Sequence, residues 1–209
     1  DSLADVPGLV AHWDASLGTY QNTARSTPAV AGDPVGGWTD QSGGDYHLAQ
    51  PTDAQRPTLT ADVFGSRPGV TFAPASLTSL TADALAGLGA GSDSPWTILA
   101  VIKQTSTTAT QVLCGWSKTD WDRPLAYIQA DGTSYRIVRR DDANVTASVT
   151  GAAIDQPDTN AHILAASFSG ASGFIRVDGV LACGPAACDV GAITFNAFSV
   201  GRLRRPTGP

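Results

Sequence analysis

The chain has 209 residues, 42% of them hydrophobic, and a formal net charge of −6. That is enough apolar material for one large core, and the acidic balance argues against nucleic acid as a partner. No apolar run approaches the roughly 20 residues of a membrane span, and no signal peptide is visible. All 19 acidic residues are Asp and none is Glu. Strong helix formers are scarce while Thr, Val and Gly are plentiful, which predicts β-structure with many turns. There is no Met even at position 1, so a processed product or part of a longer chain is expected.

In chain order, "GLVAHWD" predicts a first strand over residues 9–13. The stretch "GGWTDQSGGDYHLAQ" gathers Asp40, Ser42, Asp45 and His47. Those residue types alone allow a nucleophile with its base, a metal loop or a turn. "GVTFAP" and "LTSLTA" read as strands. "TADALAGLGAG" predicts one short helix over residues 81–88. "WTILAVIKQ" is nearly continuously apolar, which predicts a central strand buried on both faces. "LAYIQADGTSYRIVRR" is two strands joined at Asp131-Gly132, a strong hairpin signal. In "NVTASVT", Val145, Ala147 and Val149 alternate with Thr146, Ser148 and Thr150. "AHILAASFSGASGFIRVDGVLA" predicts two more hairpins, turning over residues 169–173 and at Asp178-Gly179, and "ITFNAFSVGRL" is the last strand. Frequent hairpins without helical periodicity predict an all-β jelly-roll sandwich of two antiparallel sheets. Trp96, Ile98, Ala100, Ile102, Phe72, Phe168, Phe174 and Val177 are its expected core.

Three groups are candidate sites. "CGWSKTDWDRP" carries Trp116, Asp120, Trp121, Asp122 and Arg123. Aromatic faces stack on sugars while Asp and Arg bond hydroxyls, so this is a glycan-binding candidate; Trp116 as core and Trp121 as a loop anchor is the competing reading. "RRDDAN" places Asp141, Asp142 and Asn144 in a loop, a weak Ca²⁺ candidate set against a solvated turn with Arg–Asp pairing. "CGPAAC" lets Cys183 and Cys188 close a small disulfide loop, whereas Cys114 reads as a buried strand thiol. The basic clusters Arg136, Arg139, Arg140 and Arg202, Arg204, Arg205 are expected to pair with local Asp residues or a partner surface.

"PGLVAHWDAS", "GGWTDQSGGDYHLAQPTDAQRPTL", "FGSRPGVTF" and "SPWTILAVIKQ", in this order, resemble the laminin G-like domains of the concanavalin A-like lectin/glucanase superfamily. The version they resemble is common in bacteriophage virion and bacterial surface proteins. The resemblance implies one concanavalin A-like domain over residues 1–209. It also implies that the Trp38–Asp40–Ser42 stretch is a strand entering a tight turn, with Trp38 packed inward and Asp40 bonded to main-chain amides. Ser42 lacks the G-x-S-x-G elbow of a hydrolase nucleophile. Such domains commonly close with a further strand beside the first. None follows "VGRLRRPTGP", so the first-strand edge is expected to be completed by a protein partner or another chain segment.

The resemblance also bears on activity. Glucanases of the superfamily use a pair of Glu residues, which this chain lacks. Lyases on the fold use Tyr, His, Arg and Lys, which Tyr127, Tyr135, His162 and Arg136 can supply, though their spacing does not single them out. The expectation is a non-catalytic binding or adhesion module, glycan-binding and displayed on a virion or cell surface, with an oligomer on a virion as one arrangement, and needing no cofactor beyond the candidate Ca²⁺. A purely structural decoration domain and a carbohydrate-active enzyme are the alternatives.

Overall fold

The computed structural model describes residues 6–83, 85, 91–92, 95–105, 110–119, 124–130, 134–151 and 158–202. Among them every regular element is a strand, apart from two 3₁₀ turns at Asp53–Gln55 and Pro74–Ser76. The class is therefore all-β and antiparallel, as the sequence predicts. The chain divides into two compact units, residues 1–82 and 83–209.

The first unit carries β1 (Thr19–Tyr20), β2 (Gly37–Trp38), β3 (Leu48–Ala49), the hairpin β4 (Thr58–Phe64) and β5 (Arg67–Thr71), and β6 (Leu80–Asp83) at its boundary. β1, β2, β3 and β6 pair in that order, and Val35, Leu48, Leu59, Leu80 and Ala82 are its buried apolar residues. Leu80 and Ala82 are buried while Asp83 is exposed. This two-residue period belongs to a strand, so residues 81–83 are not the start of the predicted helix. Residues 84 and 86–88 lie outside the described residues. Residues 9–13 are also not a strand. His12 donates its N–H to the Asp40 carboxylate (2.8 Å) and accepts from Gln41 N–H (2.7 Å), and Trp13 Nε1 donates to Tyr46 O (3.0 Å). At His12 the main-chain groups of the predicted first strand are thus bonded within the unit.

The second unit contains β7 (Gly91–Ser92), β8 (Trp96–Lys103), β9 (Gln111–Ser117), β10 (Pro124–Ala130), β11 (Tyr135–Arg140), β12 (Thr146–Thr150), β13 (Ala161–Ser169), β14 (Ser172–Val177), β15 (Val180–Ala187), β16 (Ala192–Ile193) and β17 (Ala197–Val200). One sheet runs β17-β9-β10-β11-β12 and another β15-β14-β13-β8, with β16 and β7 as a small ribbon. β11 and β12 lie against β14 and β15, which makes this unit a sandwich. The Asp178-Gly179 hairpin forms as expected, with φ of 50° and 82° in its two loop residues, the conformation of a type I′ turn.

Two-residue alternation decides what each strand buries. On β13, Leu164, Ala166 and Phe168 are 0–1% exposed, whereas Ile163, just before them on the opposite face, is largely exposed. Inward residues of the two sheets meet in an aromatic cluster. Trp96 packs on Trp116 (ring centroids 4.0 Å) and on Phe168 (4.6 Å), and Trp116 packs on Phe198 (5.1 Å). Arg139, expected to pair with local Asp residues or a partner surface, is buried among these residues, with its guanidinium 4.7 Å from the Phe168 ring centroid and Nη1 donating to Gly170 O (3.0 Å).

β8 departs from its prediction. Trp96, Ile98, Ala100 and Ile102 face inward and are half-buried, but the residues between them are exposed. The strand lies at the end of its sheet, and a continuous apolar run does not by itself distinguish one covered face from two. Phe174 also departs. It alternates with buried Gly173 and Ile175, so it stands on the outer face, half-buried, beside Arg176. Phe72 and Val177 are half-buried. Phe168→Ala should therefore cost about 3–5 kcal/mol in denaturant unfolding and Phe174→Ala under about 1 kcal/mol; equal losses would mean the face assignment of β13 and β14 is inverted.

Candidate functional site

Of the candidate glycan residues the structure describes only Trp116. Trp116 sits on β9, 8% exposed and walled by Trp96, Phe195 and Phe198. It is a core residue, which corrects its candidacy as a sugar platform. Asp120, Trp121, Asp122 and Arg123 lie outside the described residues.

The "RRDDAN" residues form a structural turn. Asp141 is 5% exposed, with Oδ1 accepting from Val145 N–H (2.7 Å) and Oδ2 from Gly191 N–H (3.1 Å). Asp142 pairs with Lys118 Nζ at 2.9 Å. Burial alone would raise the Asp142 pKa, but Lys118 and Thr194 outweigh it and hold it below its ordinary value. Asn144 occupies the left-handed region at φ 71°. Among the described residues no three metal-binding side chains gather, so the Ca²⁺ candidacy of Asp141, Asp142 and Asn144 gains no support. Cys183 and Cys188 are two buried thiols and not the expected bridge. Burial pushes Cys183 up to about 11 and Cys114 to about 12, so neither is a thiolate near neutral pH.

The Asp40 turn forms as the sequence implies. The carboxylate accepts from the N–H groups of His12 (2.8 Å), Ser42 (2.9 Å) and Tyr46 (3.1 Å) and from the Ser42 hydroxyl (2.8 Å). Burial would raise its pKa, and these donors overcome that and lower it. His47 Nδ1 accepts from Asp40 N–H (3.1 Å). Ser42 and His47 thus serve the turn and do not form a nucleophile–base pair.

Of the lyase-type residues, Tyr135 and His162 face inward. Tyr135 donates to Gln104 Oε1 (3.4 Å), and Gln104 Nε2 is buried without a partner among the described residues. Burial, with Asp158 and Asp178 adding, pushes Tyr135 up to about 12. His162 is held between carboxylates, Nδ1 to Asp178 at 2.7 Å and Nε2 to Asp158 at 2.8 Å. Arg136 points elsewhere, donating to Ser148 Oγ (3.1 Å). Of Tyr127 only the backbone pairing, to Val138 and Gly115, is described.

Sequence reasoning missed the outer face of β15-β14-β13-β8. Leu99 is 72% exposed, Val101 58% and Ile163 58%. Ile163 pairs directly with Val101, and Ala165 with Leu99. Phe174, Arg176 and Leu181 continue the same face, Arg176 pairing with both Ala165 and Leu181. The signal was present as the odd-numbered apolar positions of "WTILAVIK" and "AHILAASFS", but burial cannot be read from it. A contiguous exposed aliphatic surface of this kind is a candidate binding face.

No family model matches the chain, and no curated protein matches it. Several solved structures are similar to it at low identity. Domains LG4-5 of the mouse laminin alpha1 chain are 16% identical over 57% of this chain and 34% of that one, with a TM-score of 0.38. The binding domain of botulinum neurotoxin DC, in complex with SialylT, is 10% identical over 78% and 40%, with a TM-score of 0.46. The alginate lyase AlgAT5 from polysaccharide lyase family 7 is 12% identical over 74% and 68%, with a TM-score of 0.36. The chain spans less than half the length of the first two.

Two outcomes follow from these geometries. Asp40→Ala should destabilise the first unit by roughly 2–3 kcal/mol, because main-chain donors lose a charged acceptor; hydrogen exchange at His12 and Tyr46 reports it, and unchanged protection there would exclude the role. Asp178 and then Asp158 raise the His162 pKa above its ordinary value. The stability this gives is fully present below the unfolded value of about 6.5 and is lost as pH rises through the folded value. His162 in turn lowers Asp158 and Asp178, whose share is present above about 3.9 and lost as pH falls through their lowered values. The melting-temperature gap between the natural chain and His162→Asn should therefore be wider near pH 6 than near pH 9, and an equal gap would show that the charged pairing contributes nothing.

Proposed function

We propose that the chain is a non-catalytic binding module that attaches to a protein surface through the outer face of its four-stranded sheet. The observation that carries this reading is the cluster of Leu99, Val101 and Ile163, each more than half exposed on paired strands. Aliphatic side chains gain by leaving water and offer sugars no hydrogen bonds, which favours a protein contact. Support against catalysis comes from the ionisable groups themselves. Both His162 nitrogens are committed to carboxylates, and the Asp40 and Asp141 carboxylates to main-chain donors. The setting we propose, an accessory domain at a virion or bacterial surface, follows from the sequence resemblance. The half-exposed Phe174 ring beside Arg176 supports a glycan as the second reading, because a ring flanked by a guanidinium suits a sugar face and its hydroxyls.

A randomised peptide display library and a glycan array, each probed with the natural chain and with Ile163→Asp, test the two. Peptide selection lost on Ile163→Asp with the fold intact is the expected result. Sugar selection lost on Phe174→Ala would establish the second reading, and no selection from either source would overturn both.

A further inference from the structure

We propose that the edge of β8 with which no strand pairs among the described residues takes up an extended segment of a partner protein, apolar at alternate positions and carrying a carboxylate that reaches Lys103. This rests on the proposed binding role of the outer face and names its partner.

The edge is built for addition. β8 pairs with β13 in unbroken register from Trp96 opposite Phe168 to Lys103 opposite Ala161, and it contains neither Gly nor Pro. At the other end of the sheet β15 is broken by two register shifts and carries Gly184 and Pro185. Bulges and proline are two of the ways proteins blunt an edge, and β8 has neither; its one charged residue, Lys103, stands at its end.

The hydrogen bonds around Ile163 show which β8 groups are available. Ile163 gives its N–H to Asp178 Oδ1 (2.8 Å) and its C=O to Asp178 N–H (2.8 Å), both on the β14 side. Antiparallel strands alternate, so Leu164, Ala166 and Phe168 are the β13 residues that bond β8. Their opposites are Ala100, Ile98 and Trp96. Thr97, Leu99, Val101 and Lys103 therefore direct N–H and C=O away from β13. The same four residues place their side chains on the outer face. A segment bonded to them in antiparallel register sets its own side chains beside Leu99 and Val101, covering backbone and apolar surface together.

Charge selects the partner. The four strands contain no Asp, in a chain with 19 of them, yet they carry Lys103 and Arg176. Among the described residues no carboxylate pairs with Lys103. A second copy paired antiparallel through β8 would set Lys103 opposite Thr97 or Leu99 and not opposite a carboxylate, so a different, acidic segment fits better.

The test uses the whole chain and a blocked peptide in which Val alternates with Thr between terminal Asp residues. Binding should newly protect the amides of Thr97, Leu99 and Val101 from exchange. It should weaken at least about tenfold on Lys103→Asp or on replacing the peptide's Asp with Lys, and recover when the two changes are combined. Leu99→Pro removes one edge donor without touching the β13 ladder and should abolish binding. If that variant does not fold, the charge exchange decides alone. No binding, binding indifferent to these changes, or a dimer of the natural chain paired through β8 would overturn the proposal. Library peptides that are lost on Ile163→Asp but kept on Leu99→Pro and Lys103→Asp would leave the binding face standing and remove strand addition alone.

Discussion

The second unit is organised by one chain of contacts running across both of its sheets: Arg139 over Phe168, Phe168 against Trp96, Trp96 on Trp116, and Trp116 against Phe198. Five strands, β11, β13, β8, β9 and β17, each supply one member. A guanidinium stays charged at any ordinary pH, so a buried one must be compensated where it lies. The Phe168 ring face and the Gly170 carbonyl provide that compensation. Space is equally constrained, because a Cβ on Gly173 would lie 2.9 Å from a Phe168 ring carbon. Once these inward positions are filled, the alternation of β8 and β13 leaves Leu99, Val101 and Ile163 on the other side. The exposed face is the geometric complement of the core.

The acidic residues have a common use. Asp40, Asp141 and Asp178 each bind main-chain N–H groups that the strands leave unmet. Asp14, Asp33 and Asp158 do the same within three residues of themselves. A carboxylate on one methylene reaches nearby backbone with little loss of side-chain freedom, which suits a chain dominated by turns. The Asp-only composition thus makes structural sense before any ligand is considered.

Local chemistry was what the sequence made legible. The Asp178-Gly179 turn, the alternation around Val149 and the amide-binding role of Asp40 depend on a few neighbouring residues and read correctly. Features fixed by distant parts of the chain did not. Nothing near Trp116 tells a stacked core residue from a loop aromatic, and nothing in "RIVRR" says which arginine turns inward. "WTILAVIKQ" reads the same at the centre of a sheet or at its end. The short apolar run at residues 9–13 looks like a strand, but its His12 N–H and the Val10 and His12 carbonyls are bonded by the Asp40 turn. His162 was visible as a residue type, while Asp178 became its partner only through the pairing of β13 with the β14–β15 turn and Asp158 through the segment just before β13.

The two ends of the four-stranded sheet differ in what they allow to grow. At β15, Gly184 sits at φ 76° where a Cβ would meet Gly173 O at 2.3 Å, so the kink is locked by the backbone beneath it. A sheet that can lengthen on one side only is a chain terminator. It can accept one strand but has no second end from which to template another. Contacts made through it are therefore finite and one-to-one.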